Sequence, residues 1–227
     1  MEHSNNYNKD VFLKYINPYK ENFHLIIEVG SRDGLDTIFL NKHFKCNIHS
    51  FEPNPTSYSD CLNNISKYEN SHQIKMNNLA VWNKSEKIKF YPVTNGNHGA
   101  SSCYLCSQIH PTEKYQQIEI EIDSITLKEY CEINDIHEID LLVMDAQGAE
   151  YNCLLGLGDM LSNVKFIITE AIYKPLYNDI PLNSIVKSFL ETNGFIHLDS
   201  DNFHPNGDWW GDQVYVNKNF HEKNNNL

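Results

Sequence analysis

Apolar and polar positions recur along this chain with two periods, and the changes of period divide it into short elements. Leu25–Val29 is an apolar run interrupted only by Glu28, which predicts a buried strand. Across residues 33–44, Leu35, Ile38, Phe39 and Phe44 fall at helical spacing. Residues 46–51 read as a second strand, and 56–68 as a helix announced by Pro55. A third strand is expected over 74–81. Residues 87–92 and 118–122 alternate and predict two extra strands. A helix is expected over 125–133, starting after Ser124. Ile139–Met144 has no polar residue but Asp140 and predicts a central strand. A helix over 149–161, a strand over 164–169 and a helix over 182–191 follow, the last stopped by Asn193-Gly194. Residues 195–198 and 214–216 predict a closing antiparallel pair.

Strands alternating with helices imply an α/β fold with a mostly parallel sheet. With 227 residues, 41% of them hydrophobic, the chain can bury one sizeable core. We expect a helical or frayed segment over 1–22, fraying most at Met1 to Lys9, a single domain over 23–218 and a disordered tail over 219–227. The net charge of −12 argues against binding a phosphate backbone or an acidic membrane surface. No apolar stretch reaches the length of a membrane span, and the polar start lacks the apolar core of a secretion signal. A cytoplasmic protein is expected, its six cysteines free thiols. Cys103-x-x-Cys106 between His98 and His110 has zinc-ligand chemistry, but it lacks the second pair that such sites use.

In open sheets of this kind, ligands bind beyond the carboxyl ends of the strands. Those ends are Gly30, Glu52, Ala80, Asp145 and Glu170, and three of the five are acidic. Gly30 and Gly34 bracket a turn in which backbone can approach a ligand. The turn carries Glu28 and Asp33 and no phosphate-binding lysine. Such a turn is poor for a pyrophosphate and suits a cationic cofactor without phosphate, namely S-adenosylmethionine. Glu52 stands where a carboxylate would grip a ribose diol. The alternative is an ordinary strand–turn–helix with a chance acid. A hairpin after the last helix separates a Rossmann-like class I methyltransferase sheet from a plain dinucleotide fold.

Several blocks together resemble the FkbM-type family of S-adenosylmethionine-dependent methyltransferases. They are Glu28-Val29-Gly30-Ser31-Arg32-Asp33-Gly34, Phe51-Glu52-Pro53-Asn54-Pro55, Asn78-Leu79-Ala80-Val81, residues 95–102, residues 139–150 and Thr169-Glu170. They stand in the family's order over residues 25–216. Two departures are visible. The family opens the first block with Asp and continues with Ala-Asn, where this chain has Glu28 and Ser31-Arg32. In the fifth block the usual Asp-x-Glu-Gly becomes Asp145-Ala146-Gln147-Gly148. The resemblance implies O-methylation, often of sugars or metabolite hydroxyls.

Residue roles follow as expectations. Glu52 takes the ribose hydroxyls, with Pro53 and Asn54 beside it. Glu28 holds the amino-acid end of the cofactor or caps the turn. Gly30, Ser31, Arg32, Asp33 and Gly34 supply close backbone. Asn78, Leu79 and Ala80 line an adenine pocket or simply pack. An acceptor hydroxyl must lose its proton, and His98, Asp145 and Glu170 are the candidate bases. His98 lies in a glycine-rich loop, and an imidazole exchanges protons near neutral pH. Asp145 also belongs to the cofactor set, or caps the helix after Gly148. Asp145 and Glu170 could share a divalent metal, but two oxygen ligands are a thin set and none is expected to be required. Tyr173, Lys174 and Tyr177 are expected in an acceptor wall. Trp209 and Trp210 stack on the acceptor or pack under the hairpin. The expected partner is a small-molecule or saccharide acceptor, not nucleic acid or membrane. N-methylation of a small amine and a catalytically silent cofactor-binding module are the rival readings. The oligomeric state is not legible.

Overall fold

A computed structural model describes residues 9–109, 114–202 and 209–225 of the chain. Helix α1 (Lys9–Ile16) leads through a 3-10 turn to β1 (Leu25–Val29), α2 (Leu35–Phe44), β2 (Asn47–Phe51), α3 (Pro55–Ile65) and β3 (Ile74–Asn77). Five short strands follow: β4 (Ala80–Val81), β5 (Lys87–Phe90), β6 (Val93–Gly96), β7 (Tyr115–Gln117) and β8 (Ile120–Ile125). The chain then forms α4 (Leu127–Ile133), β9 (Ile139–Met144), α5 (Glu150–Leu155), β10 (Val164–Ile172) and α6 (Asn183–Thr192). It closes with β11 (Phe195–Asn202), β12 (Trp210–Asn217) and α7 (Lys218–Asn225).

The main sheet has seven strands in the order β11-β12-β10-β9-β1-β2-β3. Its five strands from β10 to β3 run parallel, and β12 pairs antiparallel with both β10 and β11. This is the expected α/β sheet with an antiparallel closing hairpin. Successive residues of a strand face opposite sides, so a sheet covered on both faces needs unbroken apolar runs. β9 meets that demand at every position but Asp140, whose buried carboxylate accepts the His24 and Leu25 N–H groups and pairs with Lys165. Leu142 and Met144 enter a core with Leu127, Leu154 and Leu190 of α4, α5 and α6. Leu141 and Val143 enter the opposite core with Phe12 of α1 and Leu40 and Phe44 of α2. Each such fully buried side chain contributes about 1.5–3 kcal/mol.

The structure redraws several expected elements. The strand expected over 74–81 splits, because Asn78 turns out of the main sheet and donates to the carbonyls of Glu52 and Pro53. Its second half, β4, joins β8 and β5 in a separate three-stranded sheet. Ile118 is exposed, and the strand expected there runs later, as β8. Helix α4 starts after Thr126, not Ser124. The Thr126 side chain accepts from the Glu129 N–H at 3.1 Å, whereas Ser124 bonds within β8's surroundings. Helix α5 stops at Leu155, short of the expected 161, because Gly156 follows. A Cβ there would lie 2.2 Å from the Trp82 carbonyl oxygen. Residues 218–225 form α7, where a tail is expected. Phe220 packs against Tyr19 and Phe166 at centroid distances of 5.2 and 5.4 Å. The fraying expected of residues 1–8, and the end of the tail at 226–227, lie outside the described residues.

Candidate active site

A cleft of about 470 Å³ opens at the carboxyl ends of the parallel strands. Its floor comes from the main sheet, and its roof from β4, β5, β7 and the turn after β6. Of the residues expected to form a site, the fold brings Gly30, Arg32, Glu52, Pro53, Ala80, His98, Asp145, Glu170 and Trp210 to this cleft.

The backbone at β1 and β9 sets its shape. Gly30 has φ +93°, and its N–H donates to the Phe51 carbonyl at 2.9 Å. A Cβ on Gly30 would lie 1.9 Å from the Asp145 carbonyl oxygen. Only glycine lets the first turn pass this close to the end of β9. Glu52, at the end of β2, is almost fully buried but reaches the cleft. One carboxylate oxygen accepts the Arg32 N–H at 2.8 Å and the other the Asn54 N–H at 2.8 Å. A carboxylate offers about four acceptor positions, so both oxygens keep capacity for a diol. Burial pushes the Glu52 pKa up to about 7, against the pull of those two N–H groups.

Asp145, Gln147 and Glu170 form one network. The Gln147 Nε2 donates to Asp145 Oδ1 at 2.5 Å and to Glu170 Oε2 at 3.1 Å. Its Oε1 accepts from the Tyr177 hydroxyl at 2.6 Å, which fixes the amide's orientation. A glutamate in this position would place a third acid against the two carboxylates. The departure at Gln147 therefore supplies a neutral donor. Desolvation raises the Asp145 pKa, opposed by Gln147 and by the nearby Arg32. Burial, then Asp145, Glu150 and Asp212, raise that of Glu170 well above the usual range. Asp145 does not cap the following helix. Glu150 folds back instead, accepting from the Ala146 and Gly148 N–H groups at 2.8 and 3.1 Å.

His98 stands in a 3-10 turn after β6, exposed at the cleft rim. Its Nδ1 lies 2.7 Å from the Val93 carbonyl oxygen. A carbonyl only accepts, so Nδ1 carries the hydrogen and Nε2 keeps its lone pair.

Other expected residues sit elsewhere. Glu28 is fully buried behind the turn, where the Thr37 and Ser50 hydroxyls donate to it, and burial raises its pKa to about 7. Ser31 bonds the Ser50 hydroxyl at 2.6 Å, below the cleft. Asp33 accepts the Leu35 N–H, and Gly34 packs on Cys61 of α3. Asn54 caps α3, Asn78 holds the Glu52 loop, and Leu79 packs into the core. These residues shape the site from behind. Tyr173 and Trp209 do not line the cleft, whereas Trp210 does. Tyr173 instead takes a 3.4 Å bond from Gln213, and Trp209 packs with the cluster of Ile172, Leu176 and Tyr177. His110, one of the four possible zinc ligands, lies outside the described residues. Among those described, no group of three or more His, Cys, Asp or Glu residues is placed to hold a metal ion. Burial raises the thiol pKa of Cys103 to about 12 and of Cys106 to about 11.

Two acidic residues of the cleft escape the sequence reading. Asp36 lies in the first turn of α2, where an acid is ordinary, so nothing signals it. Asp212 did carry a signal, as an acid inside the apolar closing strand. Asp36, Asp145, Glu170 and Asp212 outnumber Arg32, the one Lys or Arg of the described lining. That donor set favours a cation, and Glu52 favours a diol.

The methyltransferase FkbM domain profile matches residues 28–196. The 2-O-methyltransferase NoeI of Sinorhizobium fredii is 28% identical over 172 residues, covering 71% of this chain and 69% of that protein. The magnesium protoporphyrin IX methyltransferase ChlM of Synechocystis PCC 6803, solved with bound SAM, superposes with a TM-score of 0.53 at 9% identity. That match covers 90% of this chain and 75% of ChlM. TrmK of M. capricolum, in complex with S-adenosyl-homocysteine, gives 0.51 at 11%, covering 89% and 67%. At such identities these two structures speak to the fold alone. With the profile spanning most of the chain and a cleft suited to a cation and a diol, the chain belongs to the FkbM methyltransferase family and is a S-adenosylmethionine-dependent methyltransferase.

Proposed function

We propose that the chain methylates a hydroxyl of a small-molecule or saccharide acceptor, with His98 as the base. The observation that carries the reading is the place and bonding of His98: it lines the cleft, and its Nδ1 lies 2.7 Å from the Val93 carbonyl oxygen, which in the neutral ring assigns the lone pair to Nε2. The likeness to a relative named a 2-O-methyltransferase supports oxygen as the target. When bound, S-adenosylmethionine supplies an activated methyl group on a sulfonium. The chain's own residues do the rest. Glu52 holds the ribose diol with its remaining acceptor positions. Asp145, kept in place by Gln147, would hold the cationic end of the cofactor. The Nε2 of His98 takes the proton of the acceptor hydroxyl. Roof and floor enclose the cleft, and confining the reactants there would lower the entropic part of the barrier.

The test is turnover on a panel of saccharide hydroxyls and small amines, with labelled methyl donor and exhaustive chelation. Label on oxygen, undiminished by chelator, is expected. Label on nitrogen would favour the amine reading, which the acidic cleft accommodates. Activity lost in chelator and restored by magnesium, manganese or calcium would mean that a metal shares Asp145 and Glu170. No described helix is long and apolar enough to cross a membrane, and a cytoplasmic location is part of this proposal.

Glu52→Ala should weaken S-adenosylhomocysteine binding by about 10- to 100-fold, since hydrogen bonds to a charged acceptor contribute about 1.5–3 kcal/mol. The parent should add a pH dependence that the variant lacks. The diol needs the ionised carboxylate, whose pKa in the free protein is raised to about 7. Affinity should therefore fall as pH drops through that value, by up to about tenfold per unit. Calorimetry across this range checks both points, and equal affinities for parent and variant would remove Glu52 from the role.

A further inference from the structure

The closing hairpin carries an acidic row that the cofactor does not account for. Asp212 of β12 is in register with Glu170 of β10 on one side and Asp201 of β11 on the other. Paired residues project to the same face of a sheet, so the three carboxylates stand side by side. Asp212 is only 8% exposed, and its exposed edge lines the cleft. Among the described residues no hydrogen-bond donor or cation meets it. The groups acting on it are Asp145, Asp201, Asp36 and Glu150, all acidic. The Oδ2 of Asp201 is buried without a partner. Trp210, two residues before Asp212 on the same strand, faces the same way and also lines the cleft.

A desolvated carboxylate without a donor is costly, and a row of them more so. A ligand cation would relieve it, and an aromatic face beside it adds cation–π attraction. The cofactor is not the obvious source. In the proposed function its ribose would be held by Glu52 after β2 and its charged end by Asp145 after β9. Asp212 lies two strands beyond β9, about 10 Å further at the usual spacing of strands. We propose that Asp212, flanked by Glu170 and Asp201 and walled by Trp210, is a subsite for a protonated amine on the acceptor. The amine acts as a handle and not as the methylated atom, because a protonated amine has no lone pair to offer. This deepens the proposed function and rests on its reading that the cleft holds the acceptor.

The test measures binding and needs no methyl transfer, so it can fail independently of the O-methylation reading. The full chain, saturated with S-adenosylhomocysteine, is titrated calorimetrically with glucosamine and with N-acetylglucosamine near neutral pH. Glucosamine should bind about tenfold or more tightly than its acetylated counterpart. Asp212→Asn should abolish that preference while changing S-adenosylhomocysteine affinity less than twofold. Asn is nearly isosteric and removes a like-charge contact, so the variant should fold, and Asp201→Asn should reduce the preference less. Equal affinity for the two sugars, no binding of glucosamine, or a preference that persists in Asp212→Asn would each overturn the proposal. So would manganese binding that competes with glucosamine and disappears in Asp212→Asn, which would reassign the row to a metal ion.

Discussion

His98→Ala is expected to lower kcat by about 10²–10⁴-fold, the usual contribution of a positioned general base. Affinity for S-adenosylhomocysteine should stay within a few fold, because Glu52 and the floor of the cleft are untouched. The size of the effect depends on how firmly the imidazole is held. Its Nδ1 is tied to Val93 at 2.7 Å, and the turn carrying it is pinned by the Asn97 side chain, which accepts the Gly99 N–H at 3.0 Å. Removing the ring leaves this turn intact, so a fall in kcat with an unchanged melting temperature would report lost chemistry. His98→Gln separates hydrogen bonding from proton transfer, since an amide can contact a hydroxyl but cannot take its proton near neutral pH. Equal kcat for parent and His98→Ala would pass the role to Asp145.

Gly30→Ala should be the most damaging change to the fold at the site. Two costs add. An alanine at φ +93° is strained by about 1–3 kcal/mol. The added Cβ would also lie 1.9 Å from the Asp145 oxygen and 2.8 Å from its carbon. Neither atom can yield alone, because the Asp145 N–H is bonded to the Val29 carbonyl at 2.9 Å. Strands β1 and β9 must part where the cofactor binds. A loss of about 10 °C in melting temperature is expected, at roughly 2–4 °C per kcal/mol for a chain of this size, with cofactor binding weakened by more than tenfold. Gly194→Ala is the control. It has φ +83°, but a Cβ there meets nothing within 4 Å, so it carries the strain without the clash. If both variants melt together, the clash contributes nothing and Gly30 is no more constrained than Gly194.

Much of this was legible because it is local. Covered on both faces, β9 must be apolar along most of its length, so the run over 141–144 announces it. Gly30 and Glu52 bracket a strand–turn–helix–strand unit whose ends must converge, so their meeting at one cleft follows from topology. Local pattern failed where an element depends on a distant partner. Residues 74–81 look like one strand, yet Asn78 leaves the sheet to hold the Glu52 loop. The helix over 149–161 looks continuous, yet Gly156 marks where the Trp82 backbone crosses it. Glu28 looks like a ligand residue, and only burial beneath Thr37 and Ser50 moves it behind the site.

The sequence by itself therefore determined the alternation of strands and helices in the main sheet, the two-sided core, the family and the acidic end of the sheet. Each of these is carried by spacing or side-chain type within a few residues. Only the tertiary structure decided how Gln147 joins Asp145 to Glu170, which nitrogen of His98 meets the Val93 carbonyl, and that Asp201, Asp212 and Glu170 stand in one row. Those relations join residues far apart in the chain. They are set by strand register and side-chain packing, which no local window of sequence encodes.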